Sequence, residues 1–158
     1  MSYNFILPTV FALLFLSLSV SIQACKCAPP LSIPDAFRES DLIFLGNATS
    51  VTTSESDYEN IISLDVLKCL KGNCNSTESV YTSASSASCG YIYFIPSESE
   101  EDPVGGLFLV YSSSDSGKNN VIGCSRTTKI SSETYDLLLE IDALSQLAEP
   151  RQTLSYFY

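Results

Sequence analysis

The chain has 158 residues, 18 acidic against 8 basic side chains, and a formal net charge of −10. Such a charge repels phosphate backbones and anionic lipid surfaces, whose recognition depends on Lys and Arg, so no nucleic-acid partner is expected. There is no histidine, which excludes His-based triads, Cys–His dyads and the usual intrinsic zinc sites, so neither an enzyme nor a cofactor of its own is expected.

Residues 5–22 are a nearly unbroken apolar run, and Ala24 is a small residue suited to leader cleavage. The reading is a signal peptide over 1–24, with a retained anchor as the rival, since a run of this length can just span a bilayer. Cleavage makes Cys25 the first residue of a secreted, extracellular chain with no membrane attachment. One domain over 25–149 and a tail over 150–158 follow. All six cysteines, at 25, 27, 69, 74, 89 and 124, lie in the mature part. An even count in an oxidising compartment implies three disulfides, and spacing alone does not choose the pairs.

In chain order, "SIPDAFRES" (32–40) predicts a short helix with Ser32 as cap, Pro34 in the first turn and Ala36 and Phe37 on its apolar side. "DLIFLGNATSV" (41–51) predicts a strand with a bulge at Gly46. "NIISLDVLKCL" (60–70) alternates, placing Ile62, Leu64, Val66 and Lys68 on one face and Ile61, Ser63, Asp65 and Leu67 on the other. "SVYTSA" (79–84), "YIYFI" (91–95), "GLFLVYS" (106–112) and the shorter "VIGC" (121–124) are further strand-like runs between turn residues. "PSESEEDP" (96–103) reads as a solvated loop; its carboxylates lack the loop signature of a cation site. From Ser131 the period becomes helical, with Leu137, Leu138, Ile141, Leu144 and Leu147 on one stripe and Pro150 as its stop. Several short strands and a terminal helix suggest an all-β, disulfide-stapled small barrel whose closure removes exposed sheet edges. Asn47-Ala48-Thr49 and Asn75-Ser76-Thr77 are sequons, so Asn47 and Asn75 are candidate glycosylation sites.

Two cysteines one residue apart, at the cleavage point, are poorly placed to bond each other. "CKC" followed by "APP", "SCGY" at 88–91 and "GCSRT" at 123–127, in this order and at these separations, resemble the inhibitory domain of the tissue inhibitors of metalloproteinases. That domain belongs to the netrin-like group. "DAFRESDLIFLGNATSV" is similar to the family's first helix and first strand. The resemblance covers Cys25 to about Ile130. It implies a five-stranded Greek-key barrel of the oligonucleotide-binding (OB) type with flanking helices. It also implies the pairs Cys25–Cys89 and Cys27–Cys124, which leave Cys69 with Cys74, where Gly72 allows a tight turn.

The resemblance implies a function as well. The α-amine and carbonyl oxygen of Cys25 chelate the catalytic zinc of an extracellular metalloendopeptidase and displace its water. Lys26 enters the specificity pocket, Cys27, Ala28 and Pro29 run along the cleft, and Ser86, Ala87 and Ser88 pack beside them. The only metal involved is the target's zinc, and a monomer is expected. The amine must be free and neutral; with a reference pKa of about 7.7–8.0, acid weakens binding. Lys26 stands where the family usually has a small Thr or Ser, and Arg38 where it has a cysteine. The alternative function is a netrin-like module that binds extracellular matrix and does not inhibit. A lipoprotein acylated at Cys25 is the third reading, opposed by Gln23 and by the uncharged start of the chain.

Overall fold

The computed structural model describes residues 25–54, 56, 58–96, 99, 102–131 and 135–148. The leader over 1–24, the tail over 150–158, much of the acidic loop and residues 132–134 before the last helix lie outside the described residues. Helix α1 spans Ile33–Glu39, with Ser32 accepting from the Asp35 N–H and Pro34 in its first turn. Lys71 donates to the carbonyls of Phe37 and Ser40, a cation at the helix C-terminus. Strands follow at β1 (Leu42–Ser54), β2 (Glu59–Lys71), β3 (Thr77–Ser83), β4 (Leu107–Asp115), β5 (Lys118–Asn120) and β6 (Thr128–Lys129), then helix α2 (Tyr135–Ala148).

The pairings form a closed circuit. β1 pairs with both β2 and β4, β2 with β3, β3 in parallel with β5, and β5 with β4; β6 adds to the free side of β4. The register of β1 against β2 slips between Leu45 and Gly46, the bulge expected there. A Cβ on Gly46 would sit 2.9 Å from the Phe44 ring.

The circuit has apolar groups on both sides. Leu42, Phe44, Ile62, Leu64, Val80, Phe94, Phe108 and Val110 fill the interior. Ile43, Leu70, Leu109 and Tyr111 face outward and pack with Ala36 of α1 and Leu137 and Leu144 of α2. Burial on both faces explains why "LIFL" and "LFLVY" read as continuous apolar runs. β2 is drier on its Ile62–Leu64 face, as its alternation predicts.

Three expectations are corrected. "YIYFI" is no strand: Ile92–Phe94 form a 3-10 turn that drops Phe94 into the interior, where Asn60 holds its carbonyl at 2.9 Å. "VIGC" contributes one bridge, Gly90 with Ile122, and no strand. The apolar stripe of α2 ends at Leu144, with Leu147 41% exposed. Propensity marked these runs as apolar; the closing geometry of the barrel decided their backbone. Among the described residues no helix is long and apolar enough to cross a membrane.

Candidate functional site

Residues 25–31 have no regular structure, and Lys26 to Leu31 are exposed while Cys25 is half-buried. A segment that buries so little apolar surface gains almost nothing from packing, so its order must come from bonds. Three disulfides are present: Cys25–Cys89, Cys27–Cys124 and Cys69–Cys74. These are the pairs implied by the resemblance. The first two spread the adjacent cysteines onto two different loops.

Those loops are built to lie together. Ser86–Ser88 form a 3-10 turn capped by the Ser85 hydroxyl, and Cys89 closes it in the left-handed conformation at φ 64°. The next residue, Gly90, bridges Ile122, and the Gly123 N–H donates to the Cys89 carbonyl at 2.7 Å. A side chain at Gly90 would stand 2.2 Å from the Ser83 carbonyl, and one at Gly123 2.8 Å from the Gly90 carbonyl. Gly123 therefore lets the two cysteine-bearing loops touch backbone to backbone, while Gly90 fits against the end of β3 and the turn after it. As a result, Cys25 Sγ and Cys124 Sγ are 3.8 Å apart. This is contact between two disulfides, because neither sulfur carries a hydrogen. The sulfurs of Cys25, Cys27 and Cys124 lie within 4.8 Å of one another, but all are oxidised and offer no thiolate to a metal.

A polar knot secures the downstream end. Arg126 donates to Glu140 twice, at 2.9 and 2.6 Å, and to the Leu31 carbonyl at 2.9 Å. Tyr111 donates its hydroxyl to the same Glu140 oxygen as Arg126 Nε. One guanidinium thus ties the exposed segment to α2 and, through Glu140, to β4. Hydrogen bonding to Glu140 holds the Arg126 pKa above its ordinary value. Burial, reinforced by the neighbouring carboxylate, pushes the Tyr111 phenol well up. Behind the segment lies a recess of about 180 Å³, lined by Leu31, Ala36, Tyr111, Ile122 and Arg126 among others.

The structure thus brings together Cys25, Lys26, Cys27, Ala28 and Pro29, with Ser86, Ala87 and Ser88 exposed on the turn that ends at Cys89. Ile122, 51% exposed, belongs to the same surface through its bridge to Gly90. Cys69–Cys74, Asn47 and Asn75 stand apart from it, at the other end of β2 and β3. Cys25 follows Ala24 in this chain, so its nitrogen becomes an α-amine only on cleavage at that bond. Sequence reasoning missed Arg126 as an anchor and Ile122 as an exposed neighbour. "GCSRT" contains the arginine, but no spacing rule links it to Glu140. No family model matches the chain, and no curated protein matches it.

Proposed function

We propose that the chain is a secreted inhibitor of zinc metalloendopeptidases. In this reading it acts through the α-amine and carbonyl oxygen of Cys25, freed by removal of residues 1–24. One observation carries it: Cys25 and Cys27 are bonded to two loops that are themselves joined at Gly90–Ile122 and Gly123–Cys89. A terminal segment so held is preorganised, and preorganisation lowers the entropic cost of inserting it into a cleft. An open zinc position is completed by two donors of a five-membered chelate, and the target loses its catalytic water. The order β1-β2-β3-β5-β4 with closure onto β1 supports a barrel of the OB type.

Lys26 selects among targets. A charged ammonium in an apolar pocket costs several kcal/mol unless it is paired, so the preferred protease has an acidic or water-open specificity pocket. The same side chain favours a second reading, a netrin-like module that binds matrix and does not inhibit.

The test is inhibition of a panel of zinc endopeptidases by the secreted, N-terminally sequenced protein, beside a variant with one Ala added before Cys25. Inhibition by the first and not the second is expected. No inhibition by correctly cleaved, fully oxidised protein ends the inhibitor reading and favours the binding module.

A further inference from the structure

We propose that Asn75 carries an N-linked oligosaccharide and that Asn47, the other sequon asparagine, stays bare. The proposal rests on the reading that the chain enters the secretory pathway. In the transfer, Asn Nδ2 attacks the anomeric carbon of a polyprenyl-diphosphate-linked oligosaccharide. The C1–Nδ2 bond forms, the C1–O bond to the diphosphate breaks, one proton leaves Nδ2 and the polyprenyl diphosphate departs. A glycosylated asparagine therefore keeps one side-chain N–H, and the folded chain must manage with that one.

Asn75 can. It is exposed, between the Cys69–Cys74 clip and the start of β3. One Nδ2–H donates to Glu78 Oε1 at 2.8 Å, and the Asn75 backbone N–H donates to the same oxygen at 2.6 Å. Buried Glu78 receives Asn119 on its other oxygen at 3.2 Å. Among the described residues the second Nδ2–H of Asn75 has no acceptor, so a sugar can replace it with the Glu78 contact intact.

Asn47 cannot. It is half-buried in β1, paired with Asp65 on one side and Leu107 on the other. With its nitrogen turned toward the turn before β4, its amide donates to Gly105 at 3.0 Å and to Gly106 at 3.1 Å. Both hydrogens are in use. The same turn is bonded back to the strand through Gly105 N–H to the Ala48 carbonyl and Ala48 N–H to the Gly106 carbonyl. A sugar on Asn47 would remove one of its two bonds and have to push this turn aside. At Asn75 the oligosaccharide stands beyond the start of β3. The cysteine loops lie past that strand's other end, roughly 20 Å away by strand rise, so the Cys25–Pro29 segment stays open.

The experiment is expression in a eukaryotic secretory host behind a leader of known function, so that entry does not depend on residues 1–24. The disulfide-complete fraction is then deglycosylated enzymatically in ¹⁸O water and peptide-mapped. Conversion of Asn75 to labelled Asp with Asn47 unlabelled is expected. Labelled Asp at position 47, or an unlabelled position 75, in that fraction overturns the proposal. Asn75→Gln should remove all glycan mass while Asn47→Gln leaves it unchanged; if Asn47→Gln fails to fold, the wild-type map still decides. Inhibition plays no part in this readout, so an occupied Asn75 in a protein that fails to inhibit counts against the proposed function alone.

Discussion

At one end of β3, Cys25–Cys89 and Cys27–Cys124 close separations of 64 and 97 residues and hold a segment that is mostly exposed. Toward the other end, Cys69–Cys74 closes a separation of 5 next to strands that already pair over many residues. Chain-entropy arguments assign about 4–5 kcal/mol to each long bridge and about 2 kcal/mol to the short one. The positions differ as much as the sizes. The short clip adds to order that backbone pairing supplies anyway, whereas the long bridges are the main source of order for residues 25–31. An exposed, rigid segment cannot get its order from apolar packing, because packed atoms are not exposed. Distant covalent anchors are the available means.

Removing one bridge from each end sharpens this contrast and gives the largest effect. Cys27→Ser with Cys124→Ser is expected to lower unfolding free energy by about 2–5 kcal/mol and, on the proposed function, to weaken protease inhibition strongly, since residues 26–30 then have no anchor between Cys25 and the Arg126-held Leu31 carbonyl. Cys69→Ser with Cys74→Ser should cost about 2 kcal/mol or less and leave inhibition unchanged. Denaturant midpoints and inhibition constants for the two double variants decide it. Equal loss of inhibition in both would break the comparison.

Next in size is the polar knot. The Arg126 and Glu140 side chains are only 23% and 12% exposed. Glu140→Gln leaves the guanidinium without its carboxylate and is expected to destabilise by about 1–3 kcal/mol. Because Arg126 also holds the Leu31 carbonyl, inhibition should weaken along with stability. A fall in melting temperature with inhibition unchanged would mean that the disulfides alone fix the segment.

Much of the barrel was legible because its signals are local. Ser32 and Pro34 mark the start of α1, Gly46 marks the bulge, and the Ile62–Leu64 alternation marks the dry face of β2. "YIYFI" was misread because an apolar, β-branched run looks the same whether it extends as a strand or turns to bury one ring. The Asn60 bond to the Phe94 carbonyl, from 34 residues away, is not visible in the run itself. At the site, the cysteines and their neighbouring glycines stand out as residue types. What brings them together is the backbone contact of Gly90 with Ile122 and of Gly123 with Cys89, a long-range fact. The Arg126–Glu140 pair left no trace because neither residue sits in a periodic or motif-like position relative to the other. The same holds for the two sequons, identical in pattern and distinguished only by what each amide touches.

The smallest expected effect tests the link between the exposed segment and the helix it feeds. Leu31 leads directly into the α1 cap, where Asp35 accepts from the Ser32 hydroxyl and from Arg38, both at 2.6 Å. The Ser32 bond first, and the Arg38 bond second, hold the Asp35 carboxyl below its ordinary value of 3.8. A carboxyl whose pKa is lower in the folded than in the unfolded chain stabilises folding above the unfolded value, and that contribution is lost as pH falls through the folded value. Asp35→Asn should therefore lower the urea midpoint slightly at pH 7, and the gap from wild type should close as pH falls through the folded value of Asp35. The ion pair is solvent-screened, with Arg38 71% exposed, so the shift at pH 7 is small beside the loss of either long bridge. A gap that persists unchanged as the pH falls into strong acid would assign the effect to the shape of the cap and not to its charge, leaving the two long disulfides and Arg126 to fix how the segment enters α1.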